Sequence, residues 1–248
     1  MIFRSTNPVF SQVSRNVKDT TDPATIRDEV TYGGVAVKTL YLLLIIMTSA
    51  WFAASRFIVS ANATSIISWL IVLPIIGIVM IILTNVVPSL AFFTTSIYAV
   101  VEGAFIGVIS TFFALAYGST IVETALMGTF GVLMGMLVLY ATGMIVVGDF
   151  FRRLMYSLLM GLVFTSFILI LFLLFGGGIS ENLYFGIVLI SVVVSSLYLL
   201  IDFDNVTNLV HMGAPKQYEW VLSLGLVVTI VWLYIELLRF LAIFARRD

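Results

Sequence analysis

Seven apolar runs, each long enough to cross a bilayer, constrain this chain more than any other feature. A spanning helix needs about 20 mostly apolar residues. The runs fall at roughly Val35–Ala54, Ile66–Val87, Ser89–Tyr117, Ile121–Val147, Leu154–Phe175, Leu183–Ile201 and Trp220–Phe244. The third and fourth are long enough to tilt or to extend past the bilayer. The separators "SANATS", "NVVPS", "YGST", "GDFFRR" and "FGGGISEN" are short and carry turn chemistry, so neighbouring helices must run antiparallel. At Pro88 the same residues allow either a helix boundary or a kink in one re-entrant element. The expected fold class is an all-α membrane protein, a seven-transmembrane helix bundle.

Composition agrees. Hydrophobic residues make up 61% of the chain and charged ones 10%, against about 25% charged in soluble domains. A length of 248 residues suits one compact domain. The net charge of -1 offers no basic surface for nucleic acid, so the expected partner is the lipid bilayer. Without cysteine there is no disulfide, thiol chemistry, iron–sulfur cluster or Cys-type zinc site. Residues 1–34 mix acids, bases and Ser/Thr/Asn. They read as a polar cytoplasmic tail or short surface helices rather than a cleaved leader, with residues 35–248 forming the membrane domain.

Orientation follows Lys and Arg placement. Arg4, Arg15, Lys18, Arg27, Lys38, Arg152, Arg153 and Lys216 fall on one side of a seven-span chain; Arg56, Arg239, Arg246 and Arg247 fall on the other. Eight against four places the N-terminus in the cytoplasm and the C-terminus outside. Gly103/Gly107 and Gly131/Gly135 are small-xxx-small pairs, expected as ordinary packing glycines between helices.

Acids inside the membrane are costly, about +2.5 to +3.5 kcal/mol at a helix centre, and are functional candidates for that reason. Glu102 lies mid-span, with Tyr98 and Thr95 on its face. It is either a site or a protonated acid bonded across a helix interface. Asp202 ends a polar stripe of Ser191, Ser195, Tyr198, Asp202 and Asn205 that belongs inside the bundle. Asp204 points nearly the opposite way if the helix continues. Both could instead mark a solvated helix end, where acids oppose the dipole. Glu236 and Arg239 pair along the last span, with Thr229 and Trp232 on the same face, which makes this a secondary polar track. Glu123 is expected at the interface. His211, outside any span, is either solvated or a pH sensor.

The acids and carbonyls would suit Ca²⁺, which takes hard oxygen ligands. A transition-metal set is not evident, and no resident cofactor is expected. The seventh span has no Lys for a retinal Schiff base, and no Walker loop, dinucleotide fingerprint or Ser–His pair occurs. Catalytic residues are therefore not assigned and an enzyme is not expected.

The residues converge on a resemblance. "RSTNPVF", "DEVTYGGVAVKTLYLLL", "YAVVEGAFIGVIS" and above all "LIDFDNVTNLVHMGAPKQYEWVLSLGLVVTIVWLYIELLRFLAI" make the chain similar to the Bax inhibitor-1 (YccA-like) family, in a bacterial-type branch. The resemblance implies a bundle whose last helix is central, wrapped by the other six. It implies a pH-sensitive calcium leak, with related roles in restraining cell death and binding membrane proteins. It also implies an aspartate pair on the sixth and seventh helices sharing a proton. Asp202 matches the first; the second position is Thr229. The family's latching base on the second helix has no counterpart, since Ile66–Val87 holds no Lys or Arg. Two carboxyls in contact titrate as a coupled pair; Asp202 facing Thr229 would not. Asp204, Glu219 or Glu102 could supply the missing partner.

The expectation is a multi-pass protein of the bacterial cell membrane that leaks Ca²⁺ or another cation under proton control. Asp202 would be the ion or proton site, Asp204 and Glu219 would line the cytoplasmic mouth, and Glu102 would be an inner polar group, with Tyr198 on the stripe. The alternative is a non-conducting regulatory protein that modulates a membrane protease or other membrane-protein partners through its tail. A proton-coupled transporter is the third reading.

Overall fold

The computed structural model describes residues 29–59, 63–178 and 180–245. Most of the expected polar tail, residues 1–28, lies outside the described residues.

Each apolar run is a helix. They are α1 (Tyr32–Val59), α2 (Ala63–Val86), α3 (Ala91–Tyr117), α4 (Thr120–Ala141), α5 (Asp149–Leu174), α6 (Glu181–His211) and α7 (Tyr218–Ala245). All seven are long and apolar enough to cross a membrane, so this is a multi-pass membrane protein. Pro88 does mark a boundary: Pro88–Leu90 is a short 3₁₀ turn between α2 and α3. The two helices are pinned across it by a 2.6 Å hydrogen bond between Thr84 and Thr94.

Helix ends differ from the apolar runs where polar residues find partners. The sixth helix does not stop at Ile201 but runs ten residues further, to His211. Asp202, Asp204 and Asn208 are thus helical, and His211 is a helical residue rather than a loop one. Termination comes from the turn beyond. Gly213 takes φ 62, the Gly213 N–H donates to Val210 O and the Ala214 N–H to Leu209 O, a Schellman closure. Pro215 then cannot continue the helix. Similarly, "GDFFRR" is not a loop, because Arg152 and Arg153 already lie on α5.

The last helix is the most buried of the seven. Apolar residues occupy most of its circumference, as enclosure by other helices requires, with Glu219, Ser223, Thr229 and Glu236 as buried polar exceptions. Leu224, Val227, Val231 and Leu238 meet Leu42 and Ile46 of α1, Ala99 and Ile106 of α3 and Ala125 of α4. Leu233 and Ile230 meet Leu199 of α6. The last helix is central as expected, but the six do not share it equally: α1, α3, α4 and α6 make most of the contact with α7, while α2 packs chiefly on α3 and α5 on α6, each reaching α7 at its margin. The reason is the close approach of α1 and α3. A Cβ at Gly103 would fall 2.6 Å from the Ile46 carbonyl oxygen, and one at Gly107 would overlap the Ala50 carbonyl. That contact closes the inner ring and leaves α2 outside. The second glycine pair behaves differently: Gly131 and Gly135 face open space, so they are not packing glycines within this chain. Only the first pair serves a helix contact here.

Candidate functional site

The α6–α7 seam holds two buried acids whose partner sets are incomplete, Asp202 and Glu236. Asp202 projects from α6 and is buried, 8% exposed. Its Oδ2 accepts a 2.5 Å hydrogen bond from the Thr229 hydroxyl of α7. Gly225, one turn earlier on α7, lies beside the carboxylate; a Cβ there would make an ordinary contact, 3.9 Å from Oδ1. The Thr229 oxygen also lies 3.2 Å from the Gly225 carbonyl. One hydroxyl proton therefore has two acceptors in reach. With Asp202 ionised, Thr229 donates to it. With Asp202 protonated, the acid can donate to Thr229, which turns its own proton to Gly225.

Beyond this pair the seam becomes aromatic: Tyr198 of α6 lies against Trp232 of α7 and Tyr156 of α5. Further along α7, Glu236 is 5% exposed. Its Oε1 accepts from Trp232 Nε1 at 3.2 Å and Arg239 Nη1 at 3.1 Å. Its Oε2 is the one buried side-chain polar atom without a hydrogen-bond partner among the described residues. From Thr229 to Glu236 is about 10 Å along the axis, at 1.5 Å per residue. In antiparallel register Glu236 stands level with Ser195. That serine is fully buried, and its hydroxyl bonds its own helix at Val192 O, 3.1 Å away.

The acids at the N-terminal side of the bundle are in a different condition. Glu219, in the first turn of α7, is 1% exposed. It accepts from Lys38 Nζ at 2.5 Å and from the backbone N–H and hydroxyl of Thr31, both at 3.0 Å. Gly34 is required beneath it, because any Cβ there would overlap the carboxylate. The preceding residues join the same fastening: the Val30 N–H donates to Ala214 O at 2.9 Å. Asp204 faces away from Asp202, as two residues on one helix must. It pairs with Arg152 of α5 and accepts from Tyr140 of α4 at 3.3 Å and Asn208 at 2.9 Å. Arg152 also donates to Asn205 Oδ1 at 3.0 Å, which takes Asn205 to the α5 side.

Glu102 stands apart from both groups. It is half-buried on α3 against α2, where a methyl added at Gly77 would sit 3.5 Å from its carboxylate. None of Asp204, Glu219 and Glu102 approaches Asp202 as a partner; the other acid on its seam is Glu236. Among the described residues no group of three acids or histidines is placed to hold a metal ion. Sequence reasoning missed the Thr31–Gly34–Lys38 cage and the roles of Tyr140 and Arg152. Lys38 was the available signal, since a lone lysine at the edge of an apolar span calls for an acid.

The fold and the seam define a polytopic α-helical membrane protein built around a central seventh helix, with buried carboxyls along one of its contacts. The chain belongs to the Bax inhibitor 1 like family, whose model matches residues 7–246, nearly the whole length. No curated protein matches it.

Proposed function

We propose that this protein passes cations, Ca²⁺ first among them, across a bacterial cytoplasmic membrane under proton control, with its N-terminus in the cytoplasm. The observation that carries the reading is the buried Asp202 carboxyl held by a single hydroxyl on the central helix. A buried acid is kept in a fold at a cost unless its charge is fully partnered, and Asp202 is not. Thr229 stands where the family's second aspartate is expected, and its two acceptors give the proton of Asp202 somewhere to go. Glu236 supplies a second carboxyl on the same seam, with one oxygen still unpaired. Tyr198 and Trp232 pack edge to face between the two levels. The saturated acids Glu219 and Asp204 hold the N-terminal side together rather than line an open mouth.

The test is Ca²⁺ entry into proteoliposomes at pH 6, 7 and 8, for the wild type and Asp202→Asn. Flux that varies with pH in the wild type and not in the variant is the expected outcome. No flux above empty liposomes at any pH, from folded protein, would overturn the leak. It would move the reading to a regulatory protein acting on membrane partners, for which deletion of residues 1–28 becomes the decisive variant.

A further inference from the structure

On the side opposite the N-terminus, the ends of α3, α6 and α7 enclose a cleft of about 210 Å³. Phe112, Phe113 and Tyr117 of α3, Tyr184 of α6 and Arg239 of α7 form its walls, and Ala242 lies among them. Arg239 is the one charged group in this lining. A guanidinium has five N–H donors. Arg239 gives one nitrogen, Nη1, to Glu236, and its side chain remains 47% exposed. Next to the cleft, Phe185, Phe240 and Phe244 pack with centroids 5.0 to 6.3 Å apart and hold the ends of α6 and α7 in place.

We propose that this cleft binds an anionic membrane lipid, its phosphate on Arg239 and its acyl chain along Phe112 and Phe113. Three observations converge on that chemistry. A small hydrophilic anion would satisfy the guanidinium but leave aromatic walls uncovered. A lipid without a phosphate would cover the walls but leave the donors of Arg239 without an anion. An amphiphilic anion does both. The mouth also runs into the apolar outer surface through Phe112 and Leu115, 63% and 73% exposed, which gives acyl chains a continuous path into the bilayer. Finally, the cleft sits at helix ends with two tyrosines, the level at which headgroups lie and amphipathic aromatics collect. A bound phosphate would share with Glu236 the cation that Glu236 now holds alone. The site does not depend on whether the α6–α7 seam conducts.

The experiment is thermal unfolding of the detergent-purified full chain, followed by tryptophan fluorescence. Dioleoyl phosphatidylglycerol, dioleoylglycerol (the same acyl chains without the phosphate) and inorganic phosphate are titrated separately, and native mass spectrometry counts retained lipid. Phosphatidylglycerol is expected to raise Tm more than dioleoylglycerol does, and inorganic phosphate not at all. In Arg239→Gln that excess disappears, with apparent affinity falling about tenfold or more, as loss of a charge-assisted contact implies. The double variant Glu236→Gln/Arg239→Gln leaves no lone buried acid, so it carries the test if the single variant does not fold. Equal shifts from the two lipids, or an excess that persists in the variants, would overturn the proposal. A shift of the same size from inorganic phosphate would also overturn it, in favour of a free-anion site.

Discussion

Glu219 and Asp202 are both buried carboxyls in the α6–α7 hairpin, yet their surroundings differ in kind. Glu219 has a lysine at 2.5 Å and two further donors from Thr31, and it sits where Gly34 clears space for it. Asp202 has one hydroxyl and no cation beside it. A buried charge with a dedicated counter-charge and filled lone pairs is a structural element, because removing either partner strands the other. A buried acid with one exchangeable partner is available for chemistry. Asp204, with Arg152, Tyr140 and Asn208, belongs with Glu219. Glu236, with an unpaired oxygen, belongs with Asp202.

Substitution should separate the two kinds. Glu219→Ala strands Lys38 and empties a fully buried site, and we expect a loss of about 3–5 kcal/mol, seen as a large fall in Tm in detergent or as failure to recover folded protein. Replacing both partners, in Lys38→Met/Glu219→Met, should recover part of that loss, because an apolar pair leaves no lone charge. If Glu219→Ala unfolds no earlier than the wild type, the contrast with Asp202 fails at its first step. Asp204→Asn follows, with a smaller effect of about 1–2 kcal/mol, since both it and Arg152 keep 18% exposure.

Much of this division was hidden in the sequence for a physical reason. Seven runs of apolar residues encode seven helices because length and hydropathy are local properties. The partners of an acid are not local. Lys38 and Glu219 are 181 residues apart, and the sequence placed Glu219 at the membrane edge without saying that α1 would cover it. Asp202 and Asp204 were legible as opposite-facing because helical period alone sets that. The helix around them ran past Ile201, however, since Arg152 and Tyr140 satisfy Asp204 from other elements. The glycine pairs make the same point. Gly103/Gly107 and Gly131/Gly135 have one spacing, but only the first meets a backbone. Which helix lies opposite is a tertiary fact.

At Asp202 the expected effect is on function rather than stability. Asp202→Asn keeps size and hydrogen-bonding capacity, so Tm should move by no more than the equivalent of about 1 kcal/mol, while Ca²⁺ flux loses its pH dependence. Thr229 tests the relay itself. Thr229→Val keeps shape and removes the hydroxyl, and should abolish the pH dependence of flux with the fold intact; Thr229→Ser should preserve it. Thr229→Asp would place two carboxyls in contact, which titrate in two separated steps as a coupled pair, and should broaden the pH profile and extend it to higher pH. Flux from Thr229→Val that follows pH as in the wild type would assign proton control to some other group.

The smallest expected change is at Glu236, and it is the sharpest probe of the comparison. If Glu236 were an anchor like Glu219, Glu236→Gln would cost several kcal/mol through the stranded Arg239. Arg239 is about half exposed at the helix end, however, and a cation at the hydrated headgroup level that loses its partner is rehydrated at little cost. The carboxyl itself is underused in the resting structure, since one oxygen has no partner. Glu236→Gln should therefore shift stability by less than about 1 kcal/mol. Tm measured beside Glu219→Ala should show two buried acids of one helix, both at most 5% exposed, differing several-fold in their effect. A Glu236→Gln variant as damaged as Glu219→Ala would mean that burial alone, not the completeness of the partner set, decides which acids hold this bundle together.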